Sequence, residues 1–160
     1  MNYTHIRDIV FQNQPQIGKV PGESSLILED DLVVDIKLEY RENVGGIDIV
    51  DNDEHRVIVY KGLVLERHPF PKWLCWILKM SGVELNPALS LIHKALYEEG
   101  GLEVYSREQV DRLCIDSMLG NVKNPVKKLL LDMLMEMFVG SSLAWKRDGD
   151  STKYAMIEPI

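Results

Sequence analysis

The chain holds only two cysteines in 160 residues, Cys75 and Cys114, with no CxxC pair and no second thiol or histidine at zinc spacing. A disulfide framework and a zinc finger are therefore excluded, and a reducing, cytoplasmic compartment is the expectation. Long apolar runs are missing too. Trp73–Leu78 falls far short of the roughly 20 residues that span a bilayer, and the first ten residues carry Arg7 and Asp8 where a secretory leader needs an unbroken apolar stretch. No membrane partner is expected. There is no glycine-rich phosphate loop, no nucleophile elbow and no Gly-Lys-Ser/Thr sequence. His5, His55, His68 and His93 are scattered, and none has the i, i+4 spacing that grips a metal on a helix. The expectation is a non-enzymatic protein with no catalytic residue, no metal and no cofactor.

Basic residues are also in deficit: 18 Lys+Arg against 25 Asp+Glu give a net charge of −7. Coating nucleic acid without regard to sequence needs a dense basic surface, so that class is disfavoured. Residues 1–85 hold 9 basic against 14 acidic residues and residues 86–160 hold 9 against 11. Any anion-binding surface has to be local.

What is present is 46% apolar content, enough for one good core or two small ones in contact. The N-terminal stretch is expected to form a helical turn or two, followed by a loop over Gln12–Ser25, which contains Pro15, Gly18, Pro21 and Gly22. Ser25–Leu28, Leu32–Tyr40, Gly46–Val50 and Arg56–Glu66 carry the β-branched patterning of an antiparallel meander. Val34, Ile36 and Leu38 fall on one face, with Asp35, Lys37 and Glu39 on the other. Asp51–His55 reads as a hairpin loop. Two prolines in His68-Pro69-Phe70-Pro71 end the last strand and open a helix over Lys72–Met80. The expected organisation is a β-rich region over residues 1–68, a connecting helix within 69–85, and a helical unit over 86–160.

Three helix signals follow. Asn86 caps a helix from Pro87 to Glu99 that ends at Gly100-Gly101. Ser106-Arg107-Glu108-Gln109 is a capping box for a second helix reaching about Met118, with Val110, Leu113 and Cys114 buried. Asn124 with Pro125 opens a third, closed by Gly140. Leu143–Arg147 and Thr152–Ile157 flank Asp148-Gly149-Asp150 as a strand pair.

This order, with Ile92 and Leu96 before Gly100-Gly101-Leu102, Ser106–Val110 opening the second helix, and Lys146–Asp150 followed by Tyr154 and Ile157, resembles the winged-helix superfamily over about residues 86–160. The resemblance implies an α+β fold with a β-hairpin wing. It also implies a third helix whose first turns enter the major groove of double-stranded DNA while the wing touches phosphate. On that basis the nucleic-acid-binding residues are expected to be Lys123, Asn124, Lys127, Lys128, Lys146, Arg147 and Lys153. Lys127 and Lys128 stand in a helix's first turn, where its dipole disfavours cations. Asp132 and Glu136 confine a phosphate contact to those turns.

The third helix carries apolar residues on two sides. Val126, Leu129, Leu130, Met133, Leu134, Met137 and Phe138 read as its core side, while Leu131 and Met135 form an opposite face that either packs on the sheet or binds another chain. Leu131 and Met135, together with Trp73 and Trp76, are the expected partner interface, with a homodimer among the expected outcomes. Two function classes result. One is a DNA-binding regulatory or accessory protein. The other is a protein-interaction module, such as an inhibitor, an immunity-type factor, an assembly subunit or an acidic nucleic-acid mimic, with the winged helix as scaffold. Asp35-Ile36-Lys37 also resembles the acidic-x-Lys element of metal-dependent nucleases, with Asp48 as partner carboxylate, a remote third class.

Overall fold

Alternating β-branched residues and two glycines that tolerate left-handed backbone dictate the centre of the molecule. The computed structural model describes residues 3–22, 24–66, 68–99, 102, 105–139 and 154–159. Along the chain run β1 (Tyr3–Phe11), β2 (Ile17–Lys19), β3 (Leu26–Leu28), β4 (Leu32–Val44), β5 (Ile47–Val59) and β6 (Val64–Leu65). Four helices follow, α1 (Lys72–Met80), α2 (Pro87–Glu98), α3 (Arg107–Met118) and α4 (Pro125–Phe138), and then β7 (Ala155–Pro159). The fold is α+β, an antiparallel meander followed by helices.

β4 and β5 form a long hairpin in unbroken register from Leu32↔Val59 to Val44↔Ile47. The turn is Gly45-Gly46, with φ of 59° and 85°. Two successive left-handed residues suit a two-residue turn whose twist matches the strands, and only glycine takes both at no steric cost. This corrects the reading of Asp51–His55 as a loop: those residues are interior to β5, paired with Tyr40 back to Ile36. Their polarity reflects a ribbon exposed on both faces near its tip, where Val44, Ile47, Ile49 and Val50 are also exposed. A second correction concerns the N-terminal stretch, which is not helical. It is the edge strand β1, antiparallel to β4. The expected loop over Gln12–Ser25 contains the short strand β2, which joins β3 and β6 in a separate three-stranded sheet.

The main sheet has the order β1-β4-β5-β7. β7 lies where a strand was expected, but it adds to β5 through pairs such as Val57↔Ile157. The carboxyl end of the chain thus completes the sheet begun at its other end. The expected wing partner at Leu143–Arg147, the Asp148-Gly149-Asp150 turn and the stops at Gly100-Gly101 and Gly140 lie outside the described residues.

Two cores stabilise this arrangement. In the first, Val34, Ile36 and Leu38 of β4 and Val57 and Val59 of β5 pack with Leu91, Ile92, Ala95 and Leu96 of α2 and with Val110 and Leu113 of α3. It draws on both sides of the Pro69–Pro71 break. The second gathers Phe70, Leu74 and Leu78 around Cys114, Ile115 and Met118 of α3 and Leu131 and Met135 of α4. Each fully buried Leu or Ile contributes about 1.5–3 kcal/mol relative to exposure, so the two clusters carry most of the stabilisation.

Helix ends follow the sequence closely. Asn86 Oδ1 accepts from the Ala88 N–H at 3.0 Å. Ser106 Oγ accepts from the Gln109 N–H at 3.2 Å, while the Ser106 N–H donates to Gln109 Oε1 at 2.9 Å, a complete capping box. Asn124 Oδ1 accepts from both Val126 and Lys127 N–H groups. No helix among the described residues is long and apolar enough to cross a membrane.

Candidate interaction surface on α1 and α4

Apolar residues surround α4 on nearly all sides, so tertiary packing alone decides which stripe is buried. At 100° per residue, Leu131, Met135 and Val139 form one stripe, and Val126, Leu130, Met133 and Met137 form the stripe diametrically opposite. The structure buries the first: Leu131 is 4% exposed and Met135 0%. It leaves the second in solvent, with Val126 66%, Leu130 57%, Met133 57% and Met137 71% exposed, and Leu129 alongside. The faces are therefore the reverse of the expectation. Leu131 and Met135 are core residues and offer nothing to a partner; most of the expected core side is the open surface.

Burial of Leu131, Met135 and Val139 in the second core phases the helix, and a pin between helices matches that phase. On the flank of α4 turned to α3, Asp132 accepts from both arms of the Arg112 guanidinium at 2.7 and 2.8 Å. Arg112 also donates to Asp116 on its own helix, and Glu136 lies 3.8 Å away. A planar, bidentate fork is the strongest form of such a pair. The hydrogen bond to Asp132 foremost, and the Asp116 carboxylate with it, hold the Arg112 pKa above its ordinary value against the opposing effect of burial. With Asp132 turned to α3, Leu131 and Met135 face the core and Met133 and Met137 face out.

α1 extends the open surface. Leu74 and Leu78 are buried, but Trp73 is 49% and Trp76 64% exposed, with Met80 beside them. The Trp73 ring meets Phe138 of α4 edge-on, with centroids 5.5 Å apart. Eight large apolar side chains are thus open on two touching helices, and a contiguous exposed apolar patch marks an interaction site more often than scattered apolar residues do. On the other side of the α4 stripe, an open trough of about 700 Å³ runs between Arg107, Glu108, Asp111 and Arg112 of α3 and Met133, Glu136 and Met137 of α4.

The expected nucleic-acid residues divide into two groups. Lys123, Asn124, Lys127 and Lys128 are all exposed at the start of α4. Asn124 is engaged in capping. Lys146, Arg147 and Lys153 lie outside the described residues.

The nuclease motif has a structural explanation. Asp35 is buried and accepts from Arg56 Nε and Nη2 at 2.8 and 3.1 Å. Asp48 stands opposite Asn43, eight positions further along β4 from Asp35 (43 − 35), or about 26 Å at strand rise. Two carboxylates so far apart share no metal ion. Among the described residues no group of three or more His, Cys, Asp or Glu side chains gathers as metal ligands.

Sequence reading missed one polar cluster. His93, fully buried on α2, donates from Nε2 to Asp111 Oδ1 at 3.0 Å. The Tyr97 hydroxyl donates to the same oxygen and accepts from Arg107 Nε at 3.3 Å. Burial and the Asp111 carboxylate both raise the Tyr97 pKa, so it stays a neutral phenol and a donor. With His93 sealed from solvent, the cluster staples α2 to α3, and its outer members Asp111 and Arg107 line the trough beside α4. Only the shared i, i+4 spacing of His93 and Tyr97 hinted at it; Asp111 comes from another helix.

Cys75 and Cys114 are free. Burial raises the Cys75 pKa, and it pushes Cys114 up to about 12. Both stay thiols and neither is an activated nucleophile. Comparison with protein-family models, with curated proteins and with solved structures finds no match.

Proposed function

We propose that this protein is a non-enzymatic protein-interaction module whose docking face is the outer side of α1 and α4. The observation that carries this reading is the open stripe of Val126, Leu130, Met133 and Met137 beside Trp73 and Trp76. A helix that reads base edges presents hydrogen-bonding side chains to the groove. The outer stripe of α4 presents Leu and Met instead, the adaptable apolar surface that suits a protein partner. Aromatic and Met residues are also the types enriched at the centres of interfaces.

The test is affinity capture from the native cell, comparing the wild-type chain with a Leu130→Lys/Met133→Lys chain whose far-UV circular dichroism is unchanged. A partner held by the first and lost by the second is expected. Identical capture by both chains contradicts the reading.

A second reading, a winged helix on duplex DNA, is favoured by one observation: Lys123, Lys127 and Lys128 are exposed together around the start of α4. Fluorescence anisotropy with random duplex DNA separates the two. Binding that falls steeply with salt and vanishes in a Lys127→Glu/Lys128→Glu chain would put DNA first; absence of binding at low salt leaves the protein partner.

A further inference from the structure

We infer that the occupant of the α1/α4 face is a second copy of this chain, with α4 packed antiparallel on its symmetry mate; the inference rests on the interaction reading above. Its basis is the spacing of the exposed residues. Val126, Leu130, Met133 and Met137 are separated by four, three and four positions, a sequence of steps that reads the same in both directions. A copy turned about the midpoint between Leu131 and Asp132 sets Val126 against Met137 and Leu130 against Met133, twice each. The alternation of three and four is also the spacing of a heptad seam, so successive layers stay on one face over the stripe's length of about 16 Å. Any four successive positions of such a seam share that symmetry; it supplies the self-complementarity that a two-fold interface requires, and area, charge and the rims single out a second copy as the mate.

Area and charge agree with this. Seven of the eight open side chains on α1 and α4 are more than half exposed, and two Trp and three Met among the eight are the large side chains from which an interface of ~800 Å² per partner is built. No charged residue lies on the centre line of the stripe, so a molecule of net charge −7 meets itself there without opposing like charges. The rims fit as well. Trp73 sits beside Phe138 at the carboxyl end of α4. An antiparallel mate lays its own first turn across that end, and Lys127 and Phe138 project from the same flank of α4. The mate's Lys127 is thereby brought to the indoles of Trp73 and Trp76, where a cation over an aromatic ring is attracted. A lysine that the helix dipole disfavours at that position gains a partner there.

The test uses the full chain in two arms. In sedimentation equilibrium across the micromolar range, the wild-type mass is expected to move from 18.3 kDa towards twice that value as concentration rises. Leu130→Lys, at the centre of the interface, should weaken association by more than about tenfold with circular dichroism unchanged. In the second arm, a Val126→Cys chain and a Met137→Cys chain are treated with a short bis-maleimide, with wild type as the background for Cys75. The mixture should give a covalent dimer that neither chain gives alone. Cross-linking of the Val126→Cys chain to itself would mean parallel packing and overturn the inference, as would a dimer indifferent to Leu130→Lys. A wild-type mass of 18.3 kDa throughout would also overturn it. If that monomer still captured a different protein that the Leu130→Lys/Met133→Lys chain lost, self-pairing alone would fail. If both chains captured the same proteins, the interaction reading would fail with it.

Discussion

Neighbouring methionines on α4 should respond very differently to truncation. Met135 is fully buried in the second core, while Met133, two residues earlier, is 57% exposed. Removing a buried Met or Leu side chain costs about 2–5 kcal/mol, the lost transfer energy plus the cavity left behind. Met135→Ala and Leu131→Ala should fall in that range, and because α4 reaches the core through few side chains, incomplete collapse of the site favours its upper half. Met133→Ala and Leu130→Ala should lie within about 0.5 kcal/mol of wild type, as surface substitutions do. The assay is urea denaturation followed by far-UV circular dichroism, at a concentration where sedimentation shows a monomer, so that loss of a partner does not enter the result. Equal slopes would confirm that the midpoints report stability. If Met133→Ala cost as much as Met135→Ala, α4 would be packed the other way round and the open stripe would not exist.

Further outcomes follow from the polar sites. Tyr97→Phe removes a buried hydroxyl that donates to Asp111, and should cost about 1.5–3 kcal/mol in the same assay; a neutral result would mean that the phenol is not part of the staple. Burial, with Lys79 nearby, holds the His68 pKa below its ordinary 6.5, and His68 Nδ1 accepts from the Phe70 N–H at 3.2 Å. The unfolded chain therefore binds the proton first, so stability should fall as pH drops through 6.5 and level off below the folded-state pKa. His68→Asn should lose less stability than wild type between pH 7.5 and pH 5.5 by urea midpoints, about the range in which histidine titrates. Equal losses would contradict the assignment. Cys114, with its thiol pushed up to about 12 in a closed core, should react with a thiol reagent only on unfolding. Reaction at the rate of an open thiol would show that the second core is not closed.

The legibility of the sequence differed by element, for physical reasons. Helix ends were readable because their determinants are local: Asn86, Ser106 with Gln109, and Asn124 with Pro125 act within a turn, and the structure uses each as expected. The inward face of β4 was readable because Val34, Ile36 and Leu38 alternate with charged residues. Long-range choices were not. Asp51–Asp53 are polar because that stretch of the ribbon is exposed to solvent, and solvation of a strand looks like a loop in composition. That β7 joins β5 depends on two segments some hundred residues apart. The buried face of α4 could not be read at all, because a helix apolar on two sides is phased by what it meets. Here that is the second core, with the Arg112–Asp132 pair alongside, which no local rule anticipates. Of the residues expected at a partner interface, Leu131 and Met135 are consequently buried, while Trp73 and Trp76 are exposed.

α4 turns Met133 and Met137 outward, onto the face proposed to meet a protein partner, and keeps Met135 in the core. Methionine oxidation, read residue by residue by mass spectrometry, addresses both halves at once, since conversion to the sulfoxide follows exposure. In dilute solution Met133 and Met137 should oxidise rapidly and Met135 slowly. At high protein concentration Met133 and Met137 should become protected while Met135 remains as slow as before. Oxidation of Met135 as fast as Met133, or rates at Met133 and Met137 that change neither with concentration nor on adding native-cell extract, would contradict the account.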